Sequence, residues 1–419
     1  MVSDAPVYRL RLANAHLTYL LNEFPAVMIN GARAIGKTTT ASQHVAQLIR
    51  LDDPGIAAAF RADPDAALRR TTRPVLLDEW QEVPGVLGAV KRVVDRDRTA
   101  GQFILTGSVR AELTNEMWAG TGRNVRLSMY PLTERELRNE HQLDQPSFLD
   151  RVIASGLDSV TLPSDVPDID GYIEAALRGG FPEVAYRDRS PRARAIWLTS
   201  YVDDLITRDA ALLGAAKDPV KIRRYLSILA LNNAGLPSEA TLYRAADVNA
   251  RTAAGYDQLL RNLYILDVVP AWSSNRLSRL IKTGKRYMVD TGLAAAAAGI
   301  SAASVLANSD LVGRYFDAFA TAQLRPEIAL SYPRPILHHL RMEAGRREID
   351  LVIEIGGSRI VAIEFKAGVA PTLRDAKHLF WLRDELGMDF VAGVVLHSGP
   401  GIYELGDRVY AVPLCALWA

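Results

Sequence analysis

Gly31-Ala32-Arg33-Ala34-Ile35-Gly36-Lys37-Thr38 has the residue types and spacing of G-x-x-x-x-G-K-[ST], a phosphate-binding loop. Gly31 and Gly36 allow the backbone to wrap an anion without Cβ clashes. The N–H groups of the loop and of the helix that follows would face the phosphates. Lys37 would reach the β- and γ-phosphates, and the Thr38 hydroxyl would hold Mg²⁺. The expected nucleotide contacts are Gly31, Ala32, Arg33, Ala34, Ile35, Gly36, Lys37, Thr38, Thr39 and Ser108.

An apolar stretch, Pro74-Val75-Leu76-Leu77, ends in Asp78-Glu79. Hydrolysis of a nucleoside triphosphate needs one acid to hold the hydrated Mg²⁺ and another to orient the attacking water. Asp78 suits the first role and Glu79 the second. A further apolar run, Gln102-Phe103-Ile104-Leu105, ends in Thr106-Gly107-Ser108. Either Thr106 or Ser108 would sense the γ-phosphate; the alternative is a polar strand end before a turn.

A second group of acids lies near the C-terminus. Arg347-Glu348-Ile349-Asp350-Leu351-Val352-Ile353 alternates as a strand does, Gly356-Gly357 marks a hairpin, and Val361-Ala362-Ile363-Glu364-Phe365-Lys366 follows. Residues two apart share a strand face, so Glu364 and Lys366 point the same way and Asp350 on the partner strand would meet them. Two carboxylates and a lysine in this pattern suit metal-assisted phosphodiester cleavage, with Lys366 positioning water. Asp317, on a helix expected over 312–324, would supply a third metal-binding acid. The expected metal ligands are therefore Thr38 and Asp78 at one site and Asp317, Asp350 and Glu364 at the other. The alternative for the hairpin is a charged outer face with a cross-strand ion pair.

The elements that must position these groups divide the chain into four stretches. Residues 1–136 alternate strands and helices, as a mostly parallel α/β sheet would. Ala26-Val27-Met28-Ile29 reads as the strand entering the phosphate loop, Thr38 to Gln47 as the helix leaving it, and Leu48 to Leu51 as another strand. Residues 137–215 read as a helical connector or lid.

Residues 216–275 read as a winged helix-turn-helix. Apolar residues recur at helical spacing in Lys221 to Leu231, Ser238 and Asn249 are N-caps, and Ile265 to Val269 is a first wing strand. Arg251, Thr252 and Arg261 on the last helix are available for phosphates or bases. A basic string follows: Arg276, Arg279, Lys282, Lys285 and Arg286. From Ala211 to Val289, 12 Lys and Arg face 5 Asp and Glu, which favours an anionic polymer. The alternative is a module that docks protein. Residues 276–419 form the last, nuclease-like stretch.

Composition agrees with a globular protein of 419 residues, 49% hydrophobic and 23% charged. The net charge of +1 excludes neither nucleic acid nor protein as partner. The one cysteine, Cys415, excludes an internal disulfide and suits the reducing cytoplasm. No apolar run approaches the length of a membrane span, so no membrane partner is expected.

Taken as an ordered set, these motifs resemble a group of bacterial and archaeal AAA-type ATP-binding proteins with a C-terminal domain of unknown function. Besides those above, the matching pieces are Leu77 to Gln81, Gly180-Phe181-Pro182-Glu183, Tyr201 to Asp209 and Met288-Val289-Asp290-Thr291-Gly292-Leu293. The resemblance implies a P-loop ATPase with ATP and Mg²⁺ as cofactors, then a winged helix, then a fold of the PD-(D/E)xK nuclease type. Two departures mark this chain. Trp118 to Arg123 replaces the family's leucine-alanine-glycine-arginine, and Asp317 replaces a glutamate.

The expected function is an ATPase whose nucleotide state controls a DNA-binding, nuclease-like C-terminal half. It would serve nucleic-acid processing, with defence and toxin roles as candidates, and homo-oligomers are compatible. The alternative is an ATP-dependent regulatory switch with a catalytically inactive nuclease-like binding domain.

Overall fold

The computed structural model describes residues 8–109, 122–138, 143–187, 189–209, 218–273, 283–342 and 346–419. Residues 118–121 of the departure noted above, and the basic residues Arg276, Arg279 and Lys282, lie outside them. The chain forms two compact units, one made chiefly by residues 1–132 and the other chiefly by 145–261 and 265–419.

The first unit is built on five parallel strands. These are β1 (Ala26–Asn30), β2 (Gln47–Arg50), β3 (Val75–Asp78), β4 (Phe103–Gly107) and β5 (Val125–Ser128), in the spatial order β2-β3-β4-β1-β5. β1 and β3 are buried throughout, which explains their unbroken apolar sequences. The helix Val86–Arg96 buries Val86, Leu87, Val90 and Val94, spaced as one helical face, against this sheet. Asp53 and Asp63 cap the helices Pro54–Ala62 and Pro64–Arg69, each with proline at its first position.

Two details depart from the sequence expectation. The helix after the phosphate loop spans only Lys37–Ser42, and Gln47 already belongs to β2. Its three threonines lose side-chain freedom in a helix, so the segment favours a short one. β5 was not foreseen, because four residues of mixed polarity carry little periodic signal.

The second unit begins with helices, among them Ile169–Arg178 and Pro191–Asp204. Three more follow, Pro219–Leu231, Glu239–Ala246 and Ala250–Asn262. The Ser238 hydroxyl accepts from Thr241 N and the Asn249 side chain from Thr252 N. Strands β6 (Leu266–Val269) and β7 (Lys285–Met288) then pair antiparallel.

The remaining strands form a mixed sheet. They are β8 (Ile336–Met342), β9 (Arg347–Ile355), β10 (Arg359–Lys366), β11 (Phe390–His397), β12 (Tyr403–Gly406) and β13 (Val409–Pro413), ordered β12-β13-β11-β10-β9-β8. Gly356 and Gly357, both at positive φ, make the β9–β10 turn.

Period-two alternation divides β9 and β10 between two cores. Leu351, Ile353, Val361 and Ile363 join the core of the long helix Ser309–Leu330. Val352, Ile360 and Ala362 join that of the helix Lys377–Leu386. Among the described residues, no helix is long and apolar enough to cross a membrane.

Candidate functional site

The phosphate loop leaves the C-terminal end of β1 and turns at Gly31 (φ 154°), Ala34 (φ 61°) and Gly36 (φ 95°) into the helix that starts at Lys37. Ile35 and Ala32 are buried, and Ala34 and Thr39 are exposed. The buried Lys37 Nζ donates to the carbonyls of Gly31 (2.9 Å) and Ala32 (2.7 Å). Burial pushes its pKa down to about 8, against the attraction of Glu79 and Asp78.

Strand order decides what surrounds the lysine. β4 lies between β1 and β3, so its end stands between the loop and the acids. Asp78 Oδ1 accepts from the Thr38 hydroxyl (2.8 Å) and from the Thr106 hydroxyl. Glu79 Oε2 accepts from Gln81 Nε2 and, at 3.4 Å, from the Ser108 hydroxyl. Thr106 and Ser108 are thus divided between the two acids. Glu79 has φ 53°, a left-handed conformation that costs a glutamate on the order of 1–3 kcal/mol and is characteristic of functional positions. Thr38 and Asp78 offer hard oxygen donors that suit a hydrated divalent cation.

The acids of the second unit also converge. The β9–β10 register pairs Leu351 with Ile363, which sets Asp350 opposite Glu364. Asp350 Oδ2 accepts from Phe365 N (3.0 Å), and Lys366 Nζ lies 3.7 Å from Glu364 Oε2. Asp317, on the long helix, joins them through a residue with a different expected role. Lys285 Nζ donates to Asp317 Oδ2 (2.5 Å) and to Asp350 Oδ1 (3.0 Å). Asp317 Oδ1 also accepts from the Tyr287 hydroxyl (3.0 Å).

Lys285 is 4% exposed. Burial disfavours its charge, but Asp317 and Asp350 outweigh burial and hold its pKa well above the ordinary lysine value. Burial raises Asp317 to about 6, while Lys285 lowers it. Burial and the neighbouring Asp350 raise Glu364 well above the ordinary glutamate value. Among the described residues, the buried Glu364 Oε1 has no hydrogen-bond partner, and His378 Nδ1 lies 4.0 Å from it.

This arrangement corrects two expectations. Lys285 and Arg286 do not belong to a solvent-facing basic string. Lys285 is consumed by the acids, and the Arg286 guanidinium donates to Asp257 Oδ2 at 2.9 and 3.1 Å. A strand alternates its faces, and internal carboxylates draw both cations inward. The acids also do not fit a metal ion as they stand. Among the described residues, no group of three or more His, Cys, Asp and Glu could hold one. The space between Asp317 and Asp350 is spanned by an ammonium group.

Residues 23–138 match the family profile of an AAA domain. The chain carries a P-loop AAA-type domain. Residues 169–304 and 312–417 match two domains of unknown function, DUF8612 and DUF4143. The uncharacterized proteins Mb2031c of Mycobacterium bovis and Rv2008c of Mycobacterium tuberculosis are each 28% identical to this chain over 415 residues, covering 96% of it and 83% of the relative. Among solved structures, the Walker-type ATPase PABY2304 of Pyrococcus abyssi is similar with a TM-score of 0.40 and 14% identity, over 68% of this chain and 94% of its own. A RuvB variant of Thermotoga maritima gives a TM-score of 0.26 and 19% identity, over 62% and 86%. At these TM-scores the likeness assigns no function.

Sequence reasoning missed Arg11 in the AAA-type domain. Its buried guanidinium donates to the carbonyls of Ile35 and Tyr130, both at 2.8 Å, and so holds the phosphate loop from outside. No local pattern announces it, because its partners lie 24 and 119 residues away. Asp290 was noted only within a motif. Buried, it caps the helix Thr291–Ala298 through Leu293 N (2.7 Å) and accepts from Gly180 N (2.6 Å), tying two family motifs together. Arg123, in the departure from the family pattern, pairs with Asp95 at 2.7 Å.

The loop leaves no room for a side chain at Gly31. A Cβ there would stand 2.4 Å from the Met129 carbonyl oxygen and 2.6 Å from Ile35 Cδ1. Gly31→Ala is expected to displace the loop and weaken ATP binding at least about tenfold, since misplacing a preorganised site by about 1 Å costs that much or more. Titration with a fluorescent ATP analogue measures it; unchanged affinity would mean that the loop adapts.

Proposed function

We propose that this protein is an Mg²⁺-dependent ATPase whose nucleotide state controls a nucleic-acid-directed C-terminal half. The observation that carries the ATPase reading is the connection of Thr38, Asp78, Thr106, Glu79 and Ser108 across the ends of β3 and β4. Lys37 and the loop N–H groups bind the phosphates. Thr38 and Asp78 hold the metal, which when bound neutralises phosphate charge. Glu79 orients the attacking water, and Ser108, touching Glu79, relays whether the γ-phosphate is present.

The nucleic-acid reading rests on the three helices and the β6–β7 pair, read as a winged helix with Arg251 exposed on its last helix. The placing of Asp350 opposite Glu364, with Lys366 two residues on along β10, supports the reading as a PD-(D/E)xK nuclease-like hairpin. A second reading is favoured by Lys285: an ATP-driven switch whose nuclease-like half binds a partner without cutting it.

The test compares wild type with Glu79→Gln. The variant is expected to keep ATP affinity within about threefold and to lose turnover by about 10²-fold or more, the scale of a positioned general base. Equal turnover in both would remove Glu79 from the chemistry. DNA retardation assays with and without ATP, on wild type and Arg251→Ala, test the second half; binding indifferent to both would sink it.

A further inference from the structure

We propose that Lys285 is a built-in cation that stands among the C-terminal carboxylates in place of a divalent metal, so that the site as folded excludes one. The proposal rests on the nuclease-like reading of Asp317, Asp350 and Glu364. Lys285 lies on β7, within the span 169–304, whereas the three acids lie within 312–417. The ammonium reaches one oxygen of Asp317 at 2.5 Å and one of Asp350 at 3.0 Å. These are the oxygens that a metal bridging the two acids would need.

The other oxygen of each of these two acids is also engaged. Asp317 Oδ1 accepts from Tyr287 and, at 3.3 Å, from Thr321, and Asp350 Oδ2 accepts from Phe365 N. A divalent ion would have to displace a buried, doubly hydrogen-bonded ammonium and then coexist with it at close range. Like charges confined in a low-dielectric interior make that unfavourable.

The consequence for chemistry is specific. Lys366 is 39% exposed on its side chain and stays beside Glu364, so the residue expected to position water is at hand. What is lacking is access for the metal. Cutting would require Lys285 to leave, and Lys285 belongs to the β6–β7 pair of the proposed winged helix.

The test uses the full-length chain without nucleotide and follows free Mn²⁺ by electron paramagnetic resonance. Wild type and Asp350→Asn are expected to bind the same number of Mn²⁺ ions, because Asp350 contributes to no metal site while Lys285 is present. Lys285→Met is expected to gain one equivalent, lost again in Lys285→Met/Asp350→Asn. If Lys285→Met does not fold, Lys285→Gln, which keeps a polar side chain beside the two acids but no charge, is expected to gain the same equivalent.

Wild type binding one ion more than Asp350→Asn would overturn the proposal. So would folded Lys285 variants that gain none, which would leave the lysine an ordinary structural ion pair. ATP turnover on the same wild-type sample reports the ATPase reading separately. Mn²⁺ gained without DNA cleavage by Lys285→Met would favour the non-cutting switch and leave the metal exclusion standing.

Discussion

Lys37→Ala is expected to lower ATP turnover by about 10²–10³-fold, the cost of deleting one preorganised donor to developing charge. Lys37 is buried, and its ammonium is held at the mouth of the loop by the carbonyls of Gly31 and Ala32. Alanine removes that charge, and no other lysine of the loop can replace it.

The same residue sets a pH dependence. Burial holds its pKa at about 8 instead of 10.5, and phosphate favours the protonated form. ATP affinity should therefore be level below pH 8 and fall as pH rises above it, because binding must then take up a proton. In Lys37→Ala that fall should vanish. Calorimetric titration with ATP between pH 6.5 and 9.5 measures both effects; a wild-type affinity that stays level through pH 9.5 would show that Lys37 remains charged in the free protein.

Lys285→Ala is expected to destabilise the second unit by about 3–5 kcal/mol, the scale for breaking a buried ion pair from one side. The lysine is 4% exposed, and its removal leaves Asp317 and Asp350 facing each other without a cation. Lys285→Met/Asp317→Asn should recover a large part of the loss, because it removes a positive and a negative charge together.

With two compact units, one global unfolding midpoint is not a well-defined measure of this effect. Hydrogen exchange on peptides from β9 and β10 is the suitable readout, with protection expected to drop by about 10²–10⁴-fold in Lys285→Ala. A drop of less than about fivefold would mean that the two acids are neutralised in another way.

Much of the first site was legible in the sequence because its parts are local. Gly31 to Thr38 carries its chemistry in consecutive residues, and Asp78-Glu79 ends an apolar run long enough to be a buried strand. The pairing of Glu364 with Lys366 follows from period two, and the hairpin glycines fix the turn that brings Asp350 across from Glu364. These inferences use only the geometry of the nearest few residues.

What the tertiary structure decided lies beyond that range. Inserting β4 between β1 and β3 assigns Thr106 to Asp78 and Ser108 to Glu79, a choice the spacing left open. Arg11 reaches a carbonyl 119 residues away. Lys285 reaches Asp350 across 65 residues, and from its neighbours alone it reads as one more cation in a basic string. A lysine carries the same local pattern whether its charge is solvated or buried. Which holds depends on whether folding brings carboxylates within hydrogen-bonding distance, and the attraction between such charges is set by their separation in space and the medium between them.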